Sequence, residues 1–373
     1  MVSRPTFGAR SSHRVLAVLL LIGAAGALFP ARLFSAPPSS SPPSPPRPSS
    51  INGLATRNAL TPADQTLIRE YADFWTAGLL AAAEDPGAVR DIRGELVGPL
   101  NRGGATEVFR TTYGRALAPG LGKVIDEGNA HVSVTGVIVL SQVGTDKALD
   151  ILVERASGAR EPRRHVRLAA ARGSGHLLLS ASENMITGRD ITSAARGLQA
   201  AVADEQDCYT LRHQVEAIRV ASEKIQEAGR AQVREILVEA LESTAERAAA
   251  PGGRDPVQIL DAVYPALNKM RTSYLQLPPA AHRDYGKILA PALQDLLRVA
   301  ETRWNELRED DASRKQLGRF IYLSEQFLMT VDAIVRGGDT PTTGLKQAWD
   351  EGDAARYSKE MDRWRAVLAK PPY

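Results

Sequence analysis

Beyond residue 60 the apolar positions recur every three or four residues, and the breaks between the runs carry helix punctuation. Thr61-Pro62 has the form of a capping residue followed by proline in a first helical turn. The run it opens sets Ile68, Tyr71, Trp75 and Leu79 on one stripe. Asp85-Pro86 opens a second run with Val89, Ile92, Leu96 and Leu100. Asp255-Pro256 and Thr340-Pro341 repeat the device. The pattern predicts an all-α chain. One stretch, Val132 to Val139, is rich in β-branched residues and also reads as a strand. Its flanks, Asn129 as a cap and Gly144 as a stop, favour helix.

Between the second and third of these starts, helix pairs are expected to begin near residues 104, 145, 187 and 229. The steps of roughly 41 or 42 residues fall within the ~40–47 of HEAT and armadillo units. First helices carry Leu149, Leu152 and Val153, then Ile191, Leu198 and Val202, then Val233, Ile236, Leu237 and Leu241. Second helices answer with Leu211, Val215, Ile218 and Ile225, and with Val257, Leu260, Val263, Leu267, Met270 and Tyr274. A pair of this kind cannot bury both faces alone, so neighbours must stack. The segment Pro162-Arg-Arg-His-Val-Arg-Leu-Ala-Ala-Ala171, and Asn129 to Leu140 before it, resemble HEAT-type repeats over roughly residues 104–276. Residue identities barely repeat from unit to unit, and no proline keeps a fixed place. The layout also resembles exported bacterial helical-repeat proteins, which implies architecture and location but no activity.

The last third changes character. Leu289, Leu293, Leu296, Ala300, Trp304 and Leu307 keep helical spacing, as do Leu317, Phe320, Ser324, Phe327, Val331 and Ile334. The short polar stretch Arg308 to Ser313 joins them, which predicts a long antiparallel hairpin ended by Gly337-Gly338. A final helix from about Ala354 to Ala369, with Tyr357, Met361, Trp364 and Leu368, is expected to cap the open end. The aromatics on these stripes are assigned to core packing.

The N-terminal residues follow different rules. Arg4, Arg10 and Arg14 precede an uncharged apolar run from Val15 to Phe29, the layout of a secretory signal. Ala25-Gly26-Ala27 offers a cleavage site. The run is shorter than the ~20 residues a spanning helix needs, and removal or retention as an anchor both stay open. In either case the body is expected on the outer face, periplasmic or extracytoplasmic. Ser35 to Ser50 is a Pro/Ser tract that stays extended and solvated. The expected organisation is a signal segment over 1–31, a disordered linker over 32–56, a helical-repeat domain over 57–277, and a hairpin with capping helix over 278–373.

Charge and chemistry then narrow the function. The 46 Lys+Arg include five arginines before residue 51, where there is no acid. The remaining 41 face 43 Asp+Glu, so the body carries about −2 and lacks the basic surplus of a nucleic-acid binder. Cys208 is the single cysteine, which rules out an internal disulfide. The histidines 13, 131, 165, 176, 213 and 282 show no metal-ligand spacing, and no cofactor is implied. Arg172-Gly-Ser-Gly-His176 lacks the flanking glycines of a nucleophile elbow and reads as small residues at a close helix contact. Gly120-Leu-Gly-Lys123 departs from a phosphate loop at Leu117 and Val124. Glu235, Glu239, Glu242 and Glu246, with Arg234 and Arg247 nearby, read as a solvated helix face. No catalytic residue is assigned.

One cluster stands out. Six arginines lie between Arg155 and Arg172 against Glu154 and Glu161. Arg160, Arg163, Arg164, Arg167 and Arg172 are the candidates for binding an anion or an acidic partner, because guanidinium forks suit carboxylate and phosphate. Scattered ion pairs on a solvated loop are the plainer reading. The expected function is a non-enzymatic scaffold in the cell envelope binding a protein or peptide, with membrane contact only through the N-terminal segment. The alternatives are an envelope enzyme with a site assembled across helices, acting on polysaccharide or another envelope polymer, and a basic segment that contacts anionic lipid or glycan.

Overall fold

The computed structural model describes residues 48–373 except 102, 253–254 and 339–342. The expected signal segment, nearly all of the Pro/Ser tract and the Thr340-Pro341 start lie outside the described residues. Within them the chain forms fifteen α-helices and one short 3₁₀ turn, with no strand.

The proline-marked starts behave as their chemistry requires. Helix α1 (Pro62–Ala81) opens on a capping box in which the Thr61 hydroxyl accepts from the Asp64 amide and Asp64 accepts from that of Thr61. Helix α2 (Pro86–Asn101) has the Asp85 carboxylate accepting from the Gly87 and Ala88 amides. Next come α3 (Glu107–Glu127) and α4 (Ala130–Val143). The β-branched stretch is thus helical: Asn129 caps α4, and Gly144 ends it with φ at 74°. Helices α5 (Asp146–Arg155), α6 (Arg164–Ser180), α7 (Gly188–Asp204), α8 (Cys208–Lys224), α9 (Glu227–Ala249) and α10 (Pro256–Leu275) follow. The starts of α3, α5, α7 and α9 fall within three residues of the expected positions.

Packing follows an alternating order. Helix α1 lies on α3, α3 on α5, α5 on α7 and α7 on α9, while α2 lies on α4, α4 on α6, α6 on α8 and α8 on α10. Each helix therefore buries one side against its sequence neighbour and another against the helix two places away. Glycine permits the tightest of these approaches. A Cβ at Gly120 would collide with the Thr76 side chain, so the glycine lets that side chain of α1 lie directly on the α3 backbone.

The C-terminal third comprises α11 (Pro279–Thr302), α12 (Trp304–Leu307), α13 (Asp311–Arg336), α14 (Leu345–Glu351) and α15 (Ala354–Leu368). Helix α11 lies against α9 and α13, and α13 also lies on α10. The described residues form one compact unit with a continuous apolar core from Ile51 to Trp364. Two details differ from expectation. Trp304 begins the separate short α12, and the helix that follows the Thr340-Pro341 start is only the short α14, from Leu345. At seven residues α14 is too short to register as a periodicity. The buried Glu325 holds its start by accepting from the Leu345 and Lys346 amides at 2.8 and 3.1 Å.

Candidate functional site

The arginine-rich segment runs through the loop after α5 into α6, and the structure separates its members. Arg163 lies across its neighbour Glu161, with Nε and Nη2 each 2.7 Å from a carboxylate oxygen. It also donates to the Ile125 carbonyl at 2.7 Å and to that of Gly128 at 3.3 Å, both at the end of α3. Arg167 pairs with the fully buried Glu205 at 3.0 Å. Arg164 pairs with Asp207 at 2.6 Å and lies over the ring of Tyr209. Arg160 and Arg172 are exposed and make no ion pair among the described residues.

Two of the carboxylates facing these arginines, Glu161 and Asp207, are tuned to stay charged. Burial pushes the Glu161 carboxyl up, but the side-chain and backbone hydrogen bonds from Arg163 outweigh it and hold the group below its ordinary value. Asp207 is likewise raised by burial and held low on balance by Thr210 and Arg164.

Arg163 is one member of a series that the sequence left invisible. Side chains from later elements close the orphan carbonyls at the ends of α1, α3, α5, α7 and α9. Asn129 donates to Ala83 at 2.8 Å, Arg163 to Ile125, Gln214 to Ala156 at 2.8 Å, Arg247 to Val202 at 2.6 Å, and Arg303 to Ala250 at 3.0 Å. A helix end buried against a neighbour needs such donors. Arg247 is therefore a buried-end donor and not part of a solvated face, which corrects the reading of α9. Glu235 and Glu246 are exposed as expected, whereas Glu239 and Glu242 are half-buried.

Arg234, expected beside that solvated face, is instead buried and only 9% exposed. It lines a cleft of about 350 Å³ between α8, α9, α10 and α11, together with Arg219, Arg230, Tyr274 and Tyr285. Arg219 is neutralised there by Glu216 at 2.9 Å and Glu223 at 2.5 Å. Arg230 pairs with Glu227 at 2.6 Å and donates to the Ile225 carbonyl. Arg234 lies with its guanidinium carbon 5.3 Å from the Tyr285 ring centre and forms no hydrogen bond or ion pair with a protein group among the described residues. Burial drives its pKa down from the usual arginine value, with Tyr285 and Glu227 opposing the effect and Arg230 adding to it. A second cleft of about 360 Å³ shares Arg234 and Tyr285 and is floored by Ala231, Pro278, Ala281 and Ile288.

Other chemistry is sparse. Ser174 is buried and bonds to the Ala170 carbonyl at 2.9 Å, while His176 is exposed. Gly173 faces Leu152 and Ser141, and Gly175 faces Ala217, as close helix contacts demand. Glu242 on α9 and Asp295 on α11 are both raised, first by burial and then by neighbouring acids. Asp295 is nevertheless paired with Arg298 at 3.1 Å, and neither acid lines the two clefts above. No group of three or more His, Cys, Asp or Glu among the described residues is placed to hold a metal. No described helix is long and apolar enough to cross a membrane. No family model matches the chain, and no curated protein matches it.

Proposed function

We infer that this chain is a non-enzymatic helical-repeat scaffold, held on the outer side of the cytoplasmic membrane, that grips a protein or peptide partner. In this reading the HEAT-like helix pairs stack as an α-solenoid, and α11 with α13 makes the antiparallel hairpin that closes it. The observation that supports it best is the order of packing, each helix from α3 to α11 lying on the one two places before it. Stacks of this kind present successive helices side by side, which suits extended partners.

Among the arginine candidates, Arg160, Arg164 and Arg172 are the exposed ones, and they are the partner-facing members in this reading. Arg163 and Arg167 act through folding. Arg172 shares a face of α6 with His176 and Leu179, which is 70% exposed, and Tyr209 on α8 is 58% exposed. Photocrosslinkers placed at 179 and 209 in the full chain should trap the same envelope protein reproducibly. One at Tyr322, also exposed but on α13, should not. Crosslinks that are equal at all three sites, or none at 179 and 209, would remove the proposal.

Export rests on the basic start and the apolar run that follows it. N-terminal sequencing of the purified chain distinguishes cleavage near Ala27 from an uncut anchor. A body found in the cytosol would end this part of the reading.

A further inference from the structure

The cleft at Arg234 does not depend on the scaffold reading. An arginine nine-tenths buried, with no hydrogen bond or ion pair to a carboxylate, carbonyl or hydroxyl among the described residues, is unusual because burying an uncompensated charge is costly. The neighbouring cations are already matched one for one, Arg219 and Lys269 by Glu216 and Glu223, and Arg230 by Glu227. The surplus is therefore one positive charge, which one monoanion balances. The guanidinium lies over the Tyr285 ring, which offers it no hydrogen-bond acceptor, so its N–H groups remain available to a ligand. Those groups match a carboxylate in bidentate geometry.

What lies alongside sets the rest of the ligand. The second cleft, which shares Arg234 and Tyr285, is walled by Ala231, Pro278, Ala281 and Ile288. Its two acids, Glu227 and Asp284, are 70% and 84% exposed and face Arg230 and Lys287. An oxyanion beside an apolar shelf fits a small molecule with a charged head and an apolar body. We propose that this cleft is a binding site for a small amphiphilic carboxylate, its head on Arg234 and its body on the shelf around Pro278 and Ile288.

Calorimetric titration of the full chain tests this with four probes: acetate, octanoate, 1-octanol and octyl phosphate. Octanoate should bind best, with octanol and acetate each weaker by at least roughly tenfold. Arg234→Gln should lower octanoate affinity roughly tenfold to a hundredfold while keeping the helical circular dichroism and the urea midpoint. Ile288→Asp changes a partly exposed position and provides a second variant; it should weaken octanoate but leave acetate unchanged. Equal octanoate binding by wild type and Arg234→Gln would overturn the site. Octanol binding as well as octanoate would overturn the carboxylate, and octyl phosphate binding alone would replace it with a phosphate ester. Loss of folding in Arg234→Gln would assign Arg234 a structural role and overturn the proposal.

Discussion

Arg167 and Arg234 place the same side chain in opposite surroundings. Arg167 is paired with Glu205, whose carboxylate has no exposed surface, so removing the cation strands a buried anion. Arg167→Met is expected to cost about 3–5 kcal/mol, read as a lowered urea midpoint with an unchanged slope. Arg234 has no such partner among the described residues, so Arg234→Met should leave the midpoint unchanged or raise it. Nothing in the one-dimensional pattern separates the two. Each sits among arginines and glutamates at helical spacing, and only the neighbouring helices decide which of them meets a carboxylate. The arginine cluster was legible as a concentration of charge. That Arg163 and Arg167 would turn inward was not, because their partners Ile125 and Glu205 lie 38 positions away in each case.

Helix starts and stops were read more successfully, because they are local. A Thr or Asp before the first turn accepts from an amide three residues on, and that geometry needs no tertiary partner. Thr187→Ala on α7, which removes a complete capping box, should cost about 1 kcal/mol in thermal or urea unfolding. The contact at Gly120 is the opposite case. The substitution Gly120→Val should push α1 from α3 and cost at least about 1–3 kcal/mol by the same measurement, whereas an isolated helix would tolerate it better than glycine. Helix α14 shows the limit of periodicity, since two turns pinned by the distant Glu325 leave no stripe to read.

Stability of the body against pH follows from its carboxylates. Glu161, Asp207 and Glu216 are held below their ordinary values in the fold. Their contribution is present above the unfolded-state values near 4 and is lost as pH falls through the lower folded ones. Glu242 and Asp295 are raised, so they oppose this: each is more tightly protonated in the fold and lends stability as pH falls through its folded value. Urea midpoints across pH should fall on the acid side below about 4. Glu242→Gln should raise the midpoint at neutral pH, with the gain shrinking as the medium is acidified. A larger gain at low pH would contradict the assigned direction.

Spacing of apolar residues determines helix because turns of 3.6 residues and capping hydrogen bonds are satisfied within a few positions. The all-α class, the starts at Pro62, Pro86 and Pro256 and the helical state of Val132 to Val139 were therefore readable along the chain. Pairing of charges is different in kind. Which arginine closes a helix end, which meets a buried acid and which faces a cleft depends on groups brought together by stacking. The Arg234 cleft thus exists only once α8, α9, α10 and α11 have packed, because burial and the absence of a partner are properties of that packing and not of any segment.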